Sequence, residues 1–420
     1  MVIRISSIRT TLFALLFALC PFLMNYKIPF TETNFTVAVF MSVFVIEFIR
    51  ALRKPSIFKL NKFYPQKLFW IMVVYIIFNH FNVLYQSHPE NYSMSALVSI
   101  LLLTIELLGI VLFFMDRKTI ATFRRYIENI AFIMSLIVIL ECAIWYVFRV
   151  YPSGGNHQLL LPFLTVDSYD NLSTIVSPTG LFRPSAFFLE PAHFSRYCVI
   201  ALASLLFPNI EKPFNIKTVI ITVALLLTLS GFGIMLTALV WGLYLILGEG
   251  RYSRKNIGRN FLILIGALML VLLVFFVSPS FQSAVARFTG SEGDNAIYGR
   301  LGNYYVFVQY LQGFSQIWGM GYKNLPLRGM TDVTHYFTGI LELMYCQGIV
   351  GTILFVMLYI LMMLKAYVDK LMLPFVIMII SLVFIIGSSY FSPLNILIYV
   401  PFVFKTDYSR KLKGEILRTI

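Results

Sequence analysis

Charge is what this sequence has least of. Only 12% of its 420 residues are Asp, Glu, Lys or Arg, against 59% that are hydrophobic. A water-soluble domain carries roughly twice that share of charge, so the composition excludes an ordinary soluble globule and makes a bilayer the expected solvent. Cysteine is scarce as well. Cys20, Cys142, Cys198 and Cys346 all fall inside apolar runs, which argues against a disulfide framework and against a zinc site. No small-residue cleavage site follows the first apolar run, which leads instead into MNYKIPF and reads as a retained anchor. There is no internal repeat and no stretch with the composition of a separate soluble domain, so residues 1–420 read as one integral membrane domain.

Long apolar runs are what the chain has in their place. A hydrocarbon core about 30 Å thick demands some 17 to 25 apolar residues per crossing, and in lipid the backbone must satisfy itself as helix. The expected fold class is therefore all-α and polytopic. About twelve crossings are read, near 10–25, 35–49, 68–87, 93–115, 129–149, 192–208, 216–230, 232–247, 260–278, 339–364, 371–387 and 389–404.

Basic residues set the orientation, because Lys and Arg resist translocation in short loops. With a cytoplasmic N-terminus, every basic residue lies inside except Lys27, Arg149, Arg183, Arg196, Arg287, Arg300, Lys323 and Arg328. An even number of crossings with both termini cytoplasmic preserves this alternation. The net charge of +14 is thereby a topology signal that also suits anionic headgroups, and it calls for no nucleic acid.

Two connections break the pattern of short loops, 150–191 and 279–338, and both are placed outside. Long connections of this kind are usually functional. Within the second, 300–313 has the spacing of a helix lying at the interface and ending at Gly313.

The first loop ends in GLFRPSAFFLEPAHFSRY, residues 180–197. Pro191 suits a first helical turn, which makes Glu190 the N-cap. Glu190, His193 and Arg196 then recur at spacing three along one side of the helix, and Arg183 can fold back to the same place. One reading is a cap carboxylate paired with Arg183 or Arg196 beside a wetted His193. The other is a polar pocket at the lipid boundary for an anion carrying a lipid tail, since guanidinium forks match phosphate oxygens.

The second loop brings Arg287, Arg300, Lys323 and Arg328, an unusual load of cations for an outer segment. Two cationic loops on one face would clamp a diphosphate between them. His335 stands where the chain re-enters the membrane, a neutral imidazole able to accept a proton, or else a surface histidine anchoring a helix start. Glu342 lies two helical turns deeper, and Gly348 and Gly351 would let another helix approach closely.

Four of these segments, in order over about 180–355, resemble the bacterial O-antigen polymerase and ligase superfamily. They are FRPSAFFLEPAHFSRY, GRLGNYYVFVQYL, IWGMGYKNLP and THYFTGILELMYCQGIVGTILF. The sequence departs from the ligases at TLSGFG near residue 230, where those carry Ser-Arg, and Tyr336 replaces the asparagine that often follows the family histidine. The resemblance implies a GT-C-like membrane fold and a metal-independent, cofactor-free inverting glycosyltransferase in the bacterial inner membrane. Its donor and acceptor would be undecaprenyl-diphosphate-linked oligosaccharides, with chain-length regulator and flippase proteins as partners.

On that view Arg183 and Arg300 stabilise the departing diphosphate, helped by Arg196, Lys323 and Arg328, with His193, Glu342 and Arg287 in the substrate site. His335 is the first candidate for the base and Glu190 the second. Two alternatives stay open. A ligase would hand finished polymer to a lipid core. A lipid-linked oligosaccharide transporter would place charges near the midplane, where Glu106 and Glu141 are the deepest ionisable residues.

Overall fold

The computed structural model describes residues 2–23, 26–28, 35–53, 117–149, 182–188, 190–207, 216–247, 313–319, 339–368 and 371–387. These are mostly helical, with no β-strand among the described residues. The helices are α1 (Val2–Leu23), α2 (Phe35–Arg53), α3 (Arg117–Phe148), α4 (Pro191–Leu206), α5 (Ile216–Leu227), α6 (Gly231–Leu247), α7 (Phe314–Trp318), α8 (Gly339–Val368) and α9 (Met372–Gly387). The expected crossings near 68–87, 93–115, 260–278 and 389–404 lie outside the described residues. Within the described helices, Thr119–Phe148 and Gln347–Val368 are long and apolar enough to cross a membrane.

The chain divides into two compact units, Met1–Val39 with Lys118–Glu292, and Phe40–Arg117 with Gly293–Ile420. In the first, α3 and α4 run antiparallel, as three contacts in step along them require. Arg124 reaches Ser204, Cys198 approaches the Ala131 carbonyl, and Glu141 meets Ala186 just before α4 begins.

The Arg124 end is a polar knot. The Arg124 Nε donates to Glu128 at 3.0 Å and to the Ser204 hydroxyl at 2.6 Å, its Nη2 donates to the Ser204 carbonyl, and the Ser204 hydroxyl donates to Glu128. A guanidinium thereby satisfies a carbonyl that the end of α4 leaves without a helical partner. Lys217 at the start of α5 donates to Asn129 at 2.6 Å, fastening a third helix to α3.

Here the structure extends the sequence reading, which starts this crossing at 129. The charged residues from Arg117 onward are good helix formers, and Arg124 and Glu128 pair one turn apart within α3, so α3 begins twelve residues earlier.

Helix α5 turns into α6 through Thr228, Leu229 and Ser230. Ser230 sits at the N-cap of α6, its hydroxyl accepting from the Gly233 amide at 3.3 Å. Gly233 lies against Ser195 of α4, so close that an added Cβ would collide with the serine Oγ and stand 2.9 Å from its Cβ. The Trp241 indole donates to Thr222 at 3.1 Å, holding the two arms of this hairpin together. Helix α1 joins through the Tyr197 hydroxyl, which donates to the Ala18 carbonyl at 3.0 Å.

In the second unit α8 and α9 form a hairpin, with the Tyr359 hydroxyl donating to the Met378 carbonyl at 2.8 Å. Helix α8 is broken at Gly348, whose backbone (φ 66°, ψ −173°) is open to glycine and costly for other residues. A Cβ there would strike the Ile317 carbonyl. The sequence reading expects Gly348 to admit a neighbouring helix. What it admits is the main chain of the α7 turn, Ile317 to Gly319, and the break in α8 is the form this approach takes.

Candidate functional site

The FRPSAFF segment explains how an arginine ahead of α4 is held beside it. Phe182 is buried and lies nearly parallel to the Trp145 ring on α3, with centroids 5.1 Å apart. Four residues on, the Ala186 amide donates to the Glu141 carboxylate at 3.0 Å. Ala186 itself has φ 51°, a left-handed conformation that a non-glycine residue adopts only under constraint.

A turn follows, with the Phe188 amide on the Ser185 carbonyl at 3.0 Å and the Ser185 hydroxyl donating to the Phe188 carbonyl at 2.8 Å. Phe188 then fills the space between α1 and α4, with ring centroids 4.3 Å from Phe22, 5.9 Å from Phe194 and 5.7 Å from Tyr197. Arg183 is thus carried on a stretch seated on α3 at one end and on α1 and α4 at the other.

Helix α4 opens as expected, with Pro191 in its first turn and Glu190 at the N-cap in an extended conformation. The Glu190 backbone carbonyl takes the amides of His193 (3.0 Å) and Phe194 (3.2 Å). Its side chain corrects the reading in one respect: the carboxylate makes no capping hydrogen bond and is exposed.

His193 is half-buried and lies within electrostatic reach of both Glu190 and Arg196. Arg196 is half-buried, its guanidinium carbon 5.9 Å from the centre of the Phe232 ring. A cation over an aromatic face at this distance contributes about 0.5–1 kcal/mol, more where water is excluded. The TLSGFG departure therefore has a packing role. Its phenylalanine covers Arg196, and its last glycine lets α6 approach α4.

Arg183, Glu190, His193 and Arg196 are brought to one end of the first unit. Arg287, Arg300, Lys323, Arg328 and His335 lie outside the described residues, as does Glu106. Glu342 is in the first turn of α8. The interfacial helix expected over 300–313 also lies outside them except for Gly313, which has φ 59° and is followed by the short α7.

Two acidic residues matter more to the described structure than the sequence suggests. Glu141 has 4% of its surface exposed, and its contact with Ala186 makes it a neighbour of the arginine segment. Glu47 on α2, buried to 3% exposure, pairs with Arg50 at 3.1 Å. The acidic residue inside FMSVFVIEFIR was the signal for it. Cys20, Cys142 and Cys198 are buried within α1, α3 and α4 and form no disulfide. No group of three or more His, Cys, Asp or Glu is placed to share a metal ion among the described residues.

Comparison of the chain with protein-family models and with curated proteins finds no match.

Proposed function

We propose that the protein is a polysaccharide polymerase of the bacterial inner membrane. It joins undecaprenyl-diphosphate-linked oligosaccharide repeat units by metal-independent inverting glycosyl transfer at the outer face. On this reading the fold is polytopic and GT-C-like, with about twelve crossings and both termini cytoplasmic.

One observation carries the proposal. A chain with 12% charged residues assembles two half-buried arginines, a histidine and a glutamate at the mouth of one helix. Ionisable groups are costly beside lipid and persist where they serve a substrate. Arginine is the side chain suited to gripping a diphosphate while its lipid tail stays in the bilayer.

In the reaction, a sugar hydroxyl oxygen of the acceptor attacks the anomeric carbon of the donor. The bond from that carbon to the diphosphate oxygen breaks, and its electron pair leaves with undecaprenyl diphosphate. Arg183 and Arg300 stabilise the charge that gathers there. The hydroxyl proton passes to His335, or to Glu190 in its place.

The test is reconstitution of the purified full chain with one lipid-linked repeat unit, read as a ladder of products. Arg183→Ala and Arg300→Ala are expected to abolish the ladder while the protein still inserts; full activity in either removes that residue from the site. A deletion strain is expected to display single repeat units on its surface lipid. Unligated long polymer would assign the protein as a ligase, and repeat units trapped inside would assign it as a transporter.

A further inference from the structure

We infer that Glu141 is a positioning residue for the site. Its carboxylate on α3 anchors the Arg183 segment through the Ala186 amide, and Arg183 is presented to the diphosphate only while that anchor holds. The second half of the inference rests on the polymerase reading; the first does not.

The argument starts from cost. A carboxylate deep in an apolar helix is expensive, and its exposure of 4% leaves little water to offset that. An expensive group is kept where something depends on it, and here the dependent group is identifiable. Glu141 Oε2 lies 3.0 Å from the amide of Ala186, a residue forty-five positions away whose φ of 51° is itself unfavourable.

A charge-assisted hydrogen bond is stronger than a neutral one, and a strained residue persists only where its surroundings hold it. One turn of α3 further on, Trp145 lies under Phe182, so Arg183 has its immediate neighbour on one side and Ala186 on the other fixed to the same helix. Two fixed points only four residues apart, Phe182 and Ala186, leave the Arg183 main chain little freedom. The side chain therefore starts from a defined place, as preorganised charge stabilisation requires.

The inference separates acceptor from charge. An amide at 141 still accepts the Ala186 N–H. Methionine fills the same volume without accepting. Aspartate keeps the charge but is one methylene too short.

Hydrogen exchange at Ala186 in the full chain in lipid nanodiscs is expected to quicken about tenfold in Glu141→Met and Glu141→Asp, and to quicken clearly less in Glu141→Gln, which keeps the acceptor and loses only the charge assistance. In the reconstituted polymerase, the maximal rate is expected to fall about tenfold in the Met and Asp variants. The donor KM should change less than about threefold, as for loss of an interaction made mainly in the transition state, and Gln should restore the rate. Wild-type exchange in both Met and Asp variants overturns the anchor. So does a Gln variant that exchanges as fast as Met. Quickened exchange with an unchanged maximal rate overturns the link to Arg183. If the wild-type chain makes no polymer at all, it is the polymerase reading that fails, and exchange alone still decides the anchor.

Discussion

At the residue scale, the arrangement around Arg196 depends on a side chain that is missing. Gly233 gives Ser195 room, and through that approach the α5–α6 turn lays Phe232 over the guanidinium. Gly233→Ala forces a methyl group into the Ser195 Cβ, overpacking that typically costs about 1–3 kcal/mol. A lowered thermal midpoint in detergent is the expected outcome. Ser195→Gly placed on top should recover more than half of the loss, because it removes the atoms struck; additive losses in the double variant would show that the two residues do not share the strain. Arg183 and Arg196 themselves were legible in the sequence, since arginines beside apolar runs stand out. Glu141 was legible only as an oddity, because its partner is forty-five residues away and no local pattern encodes that contact.

At the element scale, the starts of α2, α5 and α8 lie where apolar runs begin, at Phe35, Ile216 and Gly339, and α6 and α9 begin within one residue of the expected positions. Hydropathy reports helix interiors well because lipid and core both select apolar residues. It reports ends poorly wherever a helix continues through charged residues, as α3 does with its Arg124–Glu128 pair, and this hides the early start of α3. It also cannot reveal the break in α8. Glycine in a helix is ambiguous, serving close approach or a backbone that no other residue tolerates, and at Gly348 both apply. Gly348→Ala is therefore expected to be severe. It meets an unfavourable positive φ and the Ile317 carbonyl at once, so the α7 turn should be displaced and become a site of rapid proteolysis near Trp318. An alanine variant with the wild-type cleavage pattern would show that α8 straightens without expelling the turn.

At the scale of the whole molecule, α3 holds a polar contact toward each end, at Arg124 and at Glu141. From Arg124 to Glu141 is about 26 Å of helix, and the interval is apolar apart from the residues near Glu128 and a buried Ser135 that bonds its own helix. The helix as a whole, Thr119–Phe148, is long and apolar enough to cross a membrane. On the proposed orientation, an impermeant thiol reagent added to intact spheroplasts should label Arg149→Cys and leave Arg125→Cys unmodified until the membrane is opened. Both native side chains are exposed, so access and not burial is what the experiment reads. Labelling at 125 from outside would invert the topology and remove the proposed site from the outer face.

The polar contacts at opposite ends of α3 also limit how this unit can deform. Sliding α4 along α3 by a single turn, about 5.4 Å, would part Arg124 from Ser204 and Glu141 from Ala186 in the same motion. With no intermediate register in which either is satisfied, the pair behaves as a strut of fixed length. If the protein works as proposed, any movement during its cycle must hinge elsewhere, leaving the segment that carries Arg183 stationary.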